Sequence, residues 1–256
     1  MDELALGGNL SGAVRVGLTV RRRSGYWTPA VHALLEYLAE HGFEAPRPIG
    51  IDERGREVLS YIEGQAVPGW PDPFPDWIYA EACLHAAAKG LRRFHDLVAG
   101  FTPPVGARWR MPAPGPHEVI CHNDWAPYNA VFREQRPDVM VDWDMAGPGT
   151  RVWDAAWTAY MWIPLHPHVD GFSIRRSADR LRMFCVDYGD LSPVELFDTL
   201  LVRLRFSAEF ARTQAAEGDP GFGKLVNELD APGMLERHAD ELDREGQLRR
   251  LLDQPR

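Results

Sequence analysis

The sequence is poor in lysine, in cysteine and in long apolar runs, and each shortage narrows what the chain can be. Only two of its 256 residues are lysine and three are cysteine. The cysteines are scattered without metal-ligand spacing, which favours buried thiols in a reducing cytoplasm over a disulfide framework. No apolar stretch approaches the length of a membrane-spanning helix. Because the acidic start Met1-Asp2-Glu3 is unlike a signal peptide, we expect a cytoplasmic protein that makes no membrane contact.

The overall composition is that of an ordinary globular chain. Apolar residues make up 45% of it, charged residues 25%, and the net charge is −9. This negative balance argues against nucleic-acid binding and mildly favours a cationic substrate. A chain of this length can form either one domain or two modest lobes, and either arrangement can bury a core.

The most informative stretch lies in the middle of the chain. His122, Asp124 and Asn129 follow the His-x-Asp-x-x-x-x-Asn spacing of a kinase catalytic loop. Asp124 would accept or orient the proton of an attacking hydroxyl group, and His122 would lock the loop by hydrogen bonding. Because a bare His-x-Asp is common, the motif gains its weight from the structure predicted around it.

A short apolar strand is predicted before this loop and a β-hairpin after it. The hairpin is predicted to turn through residues 134–137 and to pair Phe132 with Val139. That register places Asn129 beside Asp142 at the open end of a rigid ribbon. Hard oxygen ligands gathered in this way suit Mg²⁺, which prefers carboxylates, amide oxygens and substrate phosphates.

Three stretches of the chain resemble one known family. Residues 119–129, 141–149 and 153–156 are similar to the aminoglycoside phosphotransferase and choline kinase-like family. That family has a protein-kinase-like, two-lobed fold and transfers a nucleotide γ-phosphate to a hydroxyl group of a small molecule. The resemblance implies an α+β fold, with a small β-sheet lobe carrying one helix at residues 1–64 and a larger, mainly helical lobe at residues 65–256.

The resemblance also implies roles for single residues. Asp124 would be the catalytic base, and Asn129 and Asp142 would bind Mg²⁺. Asp144 falls where the family usually carries an acidic residue and would support the metal site. Asp154 would be a buried brace for the catalytic loop.

The phosphate donor, ATP or GTP, is expected to bind the N-terminal lobe. A glycine-rich turn there would cover the phosphates with backbone N–H groups. The chain that leaves the sheet resembles the linker at which the adenine contacts the backbone in this family. The candidate nucleotide-binding residues are Gly8 and Ser11 in the turn, Arg21 and Arg22 on the third strand, and Tyr61 and Ile62 in the linker.

The chain departs from the family at the ion pair that grips the phosphates. Kinase-like folds place a lysine on the third strand and a glutamate on the following helix. Lys89 and Lys224 are both far from that strand, so Arg21 is expected in the lysine's place, with Arg22 next in line. The predicted helix at residues 28–40 carries no glutamate on its inward stripe. The ion pair is therefore expected to be altered or absent, because arginine can bind phosphate but is not equivalent to lysine.

The C-terminal third is predicted to be helical, because capping residues and apolar periodicity recur along it. In the family this region closes over the acceptor site. Spacing alone singles out no acceptor-binding residue there. The predicted helices are 173–188, 193–217 and 235–252, and the candidate acceptor contacts are Asp187, Asp190 and Glu209.

The sequence leaves two functions open. The first is a phosphotransferase that uses Mg²⁺ and ATP or GTP and acts on a small hydroxylated molecule, such as an aminoglycoside-like compound. The second is a catalytically weak or inactive binding or immunity protein on the same fold, since relatives with an arginine-rich third strand include trifolitoxin immunity-like proteins. The retained Asp124, Asn129 and Asp142 favour the first function, and the missing lysine favours the second.

Overall fold

The chain divides into two compact units. The computed structural model describes residues 3–6, 12–69, 71–165 and 173–254. Unit 1 comprises residues 1–75 and 93–151, and unit 2 comprises residues 76–92 and 152–256. The predicted boundary near residue 64 divides the chain by function and stays a prediction. The compact division differs from it because the linker pairs with the hairpin, through reciprocal backbone hydrogen bonds between Gln65 and Phe132.

Unit 1 begins with an antiparallel sheet and one helix. Within the described residues the sheet has five strands in the order β1-β2-β3-β5-β4. Helix α1 follows β3, and its apolar residues at helical spacing form a buried stripe. This confirms the predicted small β-sheet part with one helix. The elements are β1 (Leu4–Ala5), β2 (Val14–Val16), β3 (Thr19–Arg23), α1 (Thr28–Glu40), β4 (Pro48–Ile51) and β5 (Arg56–Ser60).

Two small two-stranded sheets complete unit 1. Strand β6 precedes the predicted catalytic loop and pairs with β9, whereas β7 and β8 form the hairpin that follows the loop. The strands are β6 (Val119–Cys121), β7 (Ala130–Arg133), β8 (Arg136–Met140) and β9 (Gly147–Gly149).

The hairpin is present, but its predicted register and loop length are wrong. Phe132 lies opposite Pro137 and not opposite Val139. Only Glu134 and Gln135 separate the two strands, in place of the predicted four-residue loop. Both residues have positive φ angles, of 51° and 58°. Positive φ at both central residues is the conformation that lets a two-residue turn follow the twist of its strands.

Unit 2 is helical, which confirms the predicted character of the C-terminal part. The side chain of Ser192 accepts a hydrogen bond from a backbone N–H group and caps the helix that follows it, as predicted. Ser173, predicted as the first residue of its helix, caps that helix in the same way. The single helix predicted at 235–252 is wrong, because Gly246 at φ 52° separates two helices, and the short α6 was not predicted. The helices are α2 (Glu81–Val98, of which residues 93–98 belong to unit 1), α3 (Arg151–Trp162), α4 (Ile174–Tyr188), α5 (Pro193–Ala216), α6 (Pro220–Asn227), α7 (Ala231–Glu245) and α8 (Gln247–Asp253).

Cys83, Cys121 and Cys185 are free and buried, as predicted. In the described ranges, no helix combines the length and the apolar character needed to cross a membrane.

Candidate active site

The loop between β6 and β7 is tied to its surroundings by a buried asparagine. Asn123 adopts a left-handed conformation with φ 64°, which asparagine tolerates better than most residues. Its side-chain amide donates hydrogen bonds to the carbonyl oxygens of Met111 and Met145, each at 2.9 Å. The loop is thereby fixed to two neighbouring segments of unit 1. Asn123 was not predicted, because its partners lie far away along the chain.

Both carboxylate oxygens of Asp124 accept hydrogen bonds from the same loop. The hydroxyl group of Tyr128 donates to Oδ1 at 2.7 Å, and Nδ2 of Asn129 donates to Oδ2 at 2.8 Å. The same Nδ2 also donates to the backbone carbonyl of Asp124, at 3.0 Å. These contacts fix the orientation of the half-buried carboxylate, and a general base must be held in such a defined position. No sequence pattern indicated a role for Tyr128.

His122 is fully buried beneath the loop. Its Nδ1 accepts a hydrogen bond from the backbone N–H of Asp124 at 3.3 Å. Its ring packs against Trp143 and Trp125, with ring centroids 4.4 and 5.5 Å away. Phe94 packs against both tryptophans, so the four rings form an aromatic cluster beneath the loop. This geometry supports the locking role expected for His122, whose catalytic assignment stays a prediction.

Asn129 and Asp142 lie close together at the open end of the hairpin, despite the corrected register. The backbone N–H of Val141, which precedes Asp142, donates to the carbonyl oxygen of Asn129 at 2.8 Å. Asp142 adopts a left-handed conformation with φ 59°, where the chain leaves β8. The ribbon thus brings the backbones of the two residues predicted to bind Mg²⁺ close together.

A single buried guanidinium group connects the sheet to this ribbon. Arg22 on β3 is 4% exposed. Its Nη1 lies 2.5 Å from Oδ1 of Asp142, and its Nη2 lies 2.6 Å from Oδ1 of Asp144. Its Nε donates a hydrogen bond to Glu57 on β5. A second buried arginine, Arg110, places its Nη1 3.6 Å from the other oxygen of Asp144.

Arg21 does not join this cluster. Its guanidinium group donates to the hydroxyl of Thr19 at 2.6 Å and lies 3.8 Å from the carboxylate of Asp52. Successive side chains of a strand point to opposite faces of the sheet, so Arg21 and Arg22 serve different surroundings. Arg22, and not Arg21, is therefore the arginine beside Asp142, while the expectation that Arg21 or Arg22 takes the lysine's place stays a prediction.

Glu57 is the partner of Arg22 that sequence analysis missed. It lies directly opposite Arg22 in the register of β3 and β5 and is 1% exposed. Its second oxygen, Oε2, lies 3.0 Å from Nε2 of His32 on α1. The ion pair is altered, as expected, since it joins two strands while the helix contributes a histidine. A glutamate next to the apolar pair Val58 and Leu59 was the available signal.

The charges in this cluster do not balance around Arg22 alone, because three carboxylates share its guanidinium group. Burial raises the pKa of the Asp144 carboxyl group; Arg22 and Arg110 oppose this effect, while Asp142 and Glu57 add to it. The resulting pKa of Asp144 lies above its ordinary value. For Arg22, burial works to lower the pKa, but the three carboxylates outweigh it and keep the guanidinium group charged.

The free oxygen atoms of the ribbon fit a hard divalent cation. Among the described residues, Oδ1 of Asn129 and Oδ2 of Asp142 make no hydrogen bond. The part of the chain that is described contains no group of three His, Cys, Asp or Glu side chains arranged to hold a metal. An ion here would rely on these two residues and on substrate phosphates, as Mg²⁺ commonly does. Asp144 fits less well, since both its oxygens face guanidinium groups.

The other candidate nucleotide-binding residues belong to the linker and to the glycine-rich turn. Tyr61 and Ile62 are half-buried and directly follow β5. The guanidinium group of Arg15 lies 3.8 Å above the ring of Tyr61. Gly8 and Ser11 lie outside the described residues. The nucleotide-binding roles of all these residues stay predictions.

The acceptor candidates lie in unit 2, and each of them faces a basic side chain. The basic partners are His85 and Lys89 for Asp187, Arg92 for Asp190, and Arg212 for Glu209.

Asp154 is fully buried in the first turn of α3, and its role as a brace stays a prediction.

Part of the chain matches a known protein family. Residues 105–197, which include the loop and the hairpin, match the phosphotransferase enzyme family (APH). The family resemblance expected from the sequence is thereby confirmed, and the solved structures that follow confirm the kinase-like fold.

One protein sequence and two solved structures are also similar to the chain. Over 156 residues the chain is 40% identical to a trifolitoxin immunity protein of Rhizobium leguminosarum bv. trifolii, and the match spans 57% of each protein. An amicoumacin kinase structure with AMP-PNP, Ca²⁺ and Ami aligns with a TM-score of 0.65 and 14% identity, covering 95% of this chain and 88% of the kinase. A choline/ethanolamine kinase family protein from Mesorhizobium loti aligns with a TM-score of 0.60 and 15% identity, covering 98% and 92%.

Proposed function

We propose that the protein transfers the γ-phosphoryl group of ATP or GTP to a hydroxyl group of a small molecule. The observation that carries this proposal is that Asp124, Asn129 and Asp142 lie on one loop and ribbon, where Arg22 of β3 contacts Asp142. Phosphoryl transfer depends mainly on positioning and charge neutralisation, and these groups supply both. The fold of an amicoumacin kinase that binds AMP-PNP supports a nucleotide as the donor.

Each residue has a defined task in this proposal. Asp124 accepts the proton of the attacking hydroxyl group while Nδ2 of Asn129 holds its Oδ2 by a hydrogen bond. Asn129 and Asp142 would hold Mg²⁺, which neutralises phosphate charge when it is bound. Arg22 provides a fixed positive charge beside Asp142, in the position that a lysine takes in related folds, and Glu57 keeps it in place.

The acceptor is a small hydroxylated molecule, with a cationic compound favoured. The net charge of −9 raises the local concentration of cations near the protein. The names of the relatives point to amicoumacin and to choline or ethanolamine as acceptors of those proteins. An aminoglycoside-like compound would combine hydroxyl groups with positive charge.

Two substitutions and one matched control test the proposed phosphoryl transfer. Asp124→Asn keeps the shape of the side chain, and it should lower γ-phosphate transfer by about 10²- to 10⁴-fold, the usual contribution of a general base. Asp138→Asn is the matched control, because it makes the same change at an exposed position of the same hairpin. Asp142→Asn should remove the Mg²⁺-dependent part of the rise in melting temperature caused by ATP or GTP. The proposal is wrong if neither nucleotide at millimolar concentration raises the melting temperature of the unaltered protein.

A binding or immunity function is the second candidate. It is favoured by the 40% identity to a trifolitoxin immunity protein and by Arg22, which already engages one oxygen of Asp142. Expressing the protein in a trifolitoxin-sensitive bacterium separates the two functions. Protection that survives Asp124→Asn would indicate immunity by binding alone, whereas protection lost with that substitution would indicate phosphoryl transfer.

A further inference from the structure

We propose that Tyr128 is a positioning residue whose phenol occupies the place of the acceptor hydroxyl group on Asp124 and so keeps water from reacting there. The inference rests on the proposed phosphoryl transfer. It assigns to this site a device that restricts the reaction to acceptors able to displace the phenol.

The hydrogen bonds of Asp124 carry the first step. Oδ2 is held by Asn129, which also carries the amide oxygen that fits the cation. An incoming hydroxyl group would therefore use Oδ1, where the phenol of Tyr128 already donates at 2.7 Å. The phenol and the acceptor are chemically alike, because each presents an O–H donor to the same carboxylate oxygen.

The surroundings of the ring carry the second step. Tyr128 lies in a short 3-10 turn, Pro127–Asn129, so its backbone is fixed directly before β7. Gly69 lies so close that a β-carbon there would stand 3.4 to 3.6 Å from the side chain of Tyr128. The ring of Phe74 lies 6.4 Å from it, centroid to centroid. Gly69 and Phe74 thus lie beside the half-buried ring and favour the position that holds the phenol on Asp124.

The chemistry follows from competition for Oδ1. An acceptor gains binding energy from its other groups and can displace the phenol, which a water molecule lacks the contacts to do. Once the phenol has been displaced, Asp124 takes the proton of the acceptor hydroxyl group. The oxygen of that hydroxyl group bonds to the γ-phosphorus. The bond from that phosphorus to the bridging oxygen breaks, and the nucleoside diphosphate leaves.

The test uses Tyr128→Phe in the full chain with Mg²⁺ and ATP or GTP and no acceptor, so that water is the probe. Release of inorganic phosphate should rise about tenfold, which corresponds to about 1.4 kcal/mol in the barrier. Tyr37→Phe is the matched control, since it removes a hydroxyl that donates to the carbonyl of Leu97 at 3.2 Å in the same unit. Adding Asp124→Asn to Tyr128→Phe should abolish the gain.

The possible outcomes separate this inference from the proposed function. If nucleotide still raises the melting temperature but Tyr128→Phe releases phosphate no faster than Tyr37→Phe, the inference is overturned and the proposed function stands. A merely structural role for the tyrosine would lower the release, which also overturns it. Phosphate found on Tyr128 by mass spectrometry would make the residue an acceptor and refute its role as a barrier. Absence of both nucleotide binding and phosphate release would remove both proposals.

Discussion

The buried cluster around Arg22 makes a sharp prediction about stability. Arg22→Met keeps a side chain of similar length and removes the charge. The change leaves Glu57 and Asp144, both buried, without the guanidinium group that lies between them. Removing one partner of a buried ion pair typically costs about 3–5 kcal/mol, because the remaining charge is stranded away from water. We expect a loss of that size in the free energy of unfolding of unit 1.

A double-mutant cycle checks that stranded charge is the cause. Glu57→Gln alone should cost about 1–3 kcal/mol, because it weakens a charged hydrogen bond while Arg22 keeps its two aspartates. In the Arg22→Met background, the same change also removes one stranded carboxylate. The double variant should therefore be more stable than the sum of the single effects predicts, by about 1 kcal/mol or more.

The assay must report on unit 1, because the chain has two compact units. Hydrogen exchange of peptides from β3 and β5 during urea denaturation does so. Arg54→Met is the matched control, since Arg54 is 72% exposed where it pairs with Glu3, and such pairs contribute little. The reasoning would be refuted if Arg22→Met destabilised unit 1 no more than Arg54→Met, or if the double variant showed simple additivity.

Three further substitutions should change stability for local reasons, measured as shifts in urea midpoint. Gln135→Gly should stabilise unit 1 by about 1 kcal/mol, because it relieves a left-handed residue in the hairpin turn; an unchanged midpoint would count against a strained turn. Gly64→Ala should destabilise unit 1 by about 1–3 kcal/mol, since φ is 154° and a β-carbon would lie 2.4 Å from the side chain of Val131. A variant as stable as the parent would contradict that contact. Asp219→Ala should cost unit 2 about 1 kcal/mol, because the carboxylate caps two N–H groups of α6, and an equal loss in Asp219→Asn would argue against capping.

Much of the fold could be predicted, because the signals that define it are local. Proline or a capping serine marks the start of α1, α4 and α5, and apolar periodicity marks their buried faces. The loop motif and the hairpin were recognisable for the same reason, since their residues lie within one short stretch. The break at Gly246 was missed, because apolar periodicity continues across it and only a backbone angle interrupts the helix.

The partners within the site could not be predicted, because they depend on contacts between distant segments. Glu57 meets Arg22 across two strands, and Asn123 meets carbonyl groups on either side of its loop. The contact of Tyr128 with Asp124 is local, but it depends on the 3-10 turn that contains Tyr128, and this turn was not predicted. Asp144 was expected to support a metal site. Its contacts with two arginines, Arg22 and Arg110, could not be predicted from the sequence.

The choice between two adjacent arginines shows how far away the deciding information lies. Strand β3 offers Arg21 and Arg22 with similar chemistry, and only the register of the sheet determines which one faces Asp142. The turn at Gly17, with φ 61°, fixes β3 against β2, and Glu57 lies opposite Arg22 on β5. A shift of one residue would exchange the two faces of the strand. It would bring Arg21 to Asp142 and separate the buried pair, so the register itself is held by the charge cluster that it creates.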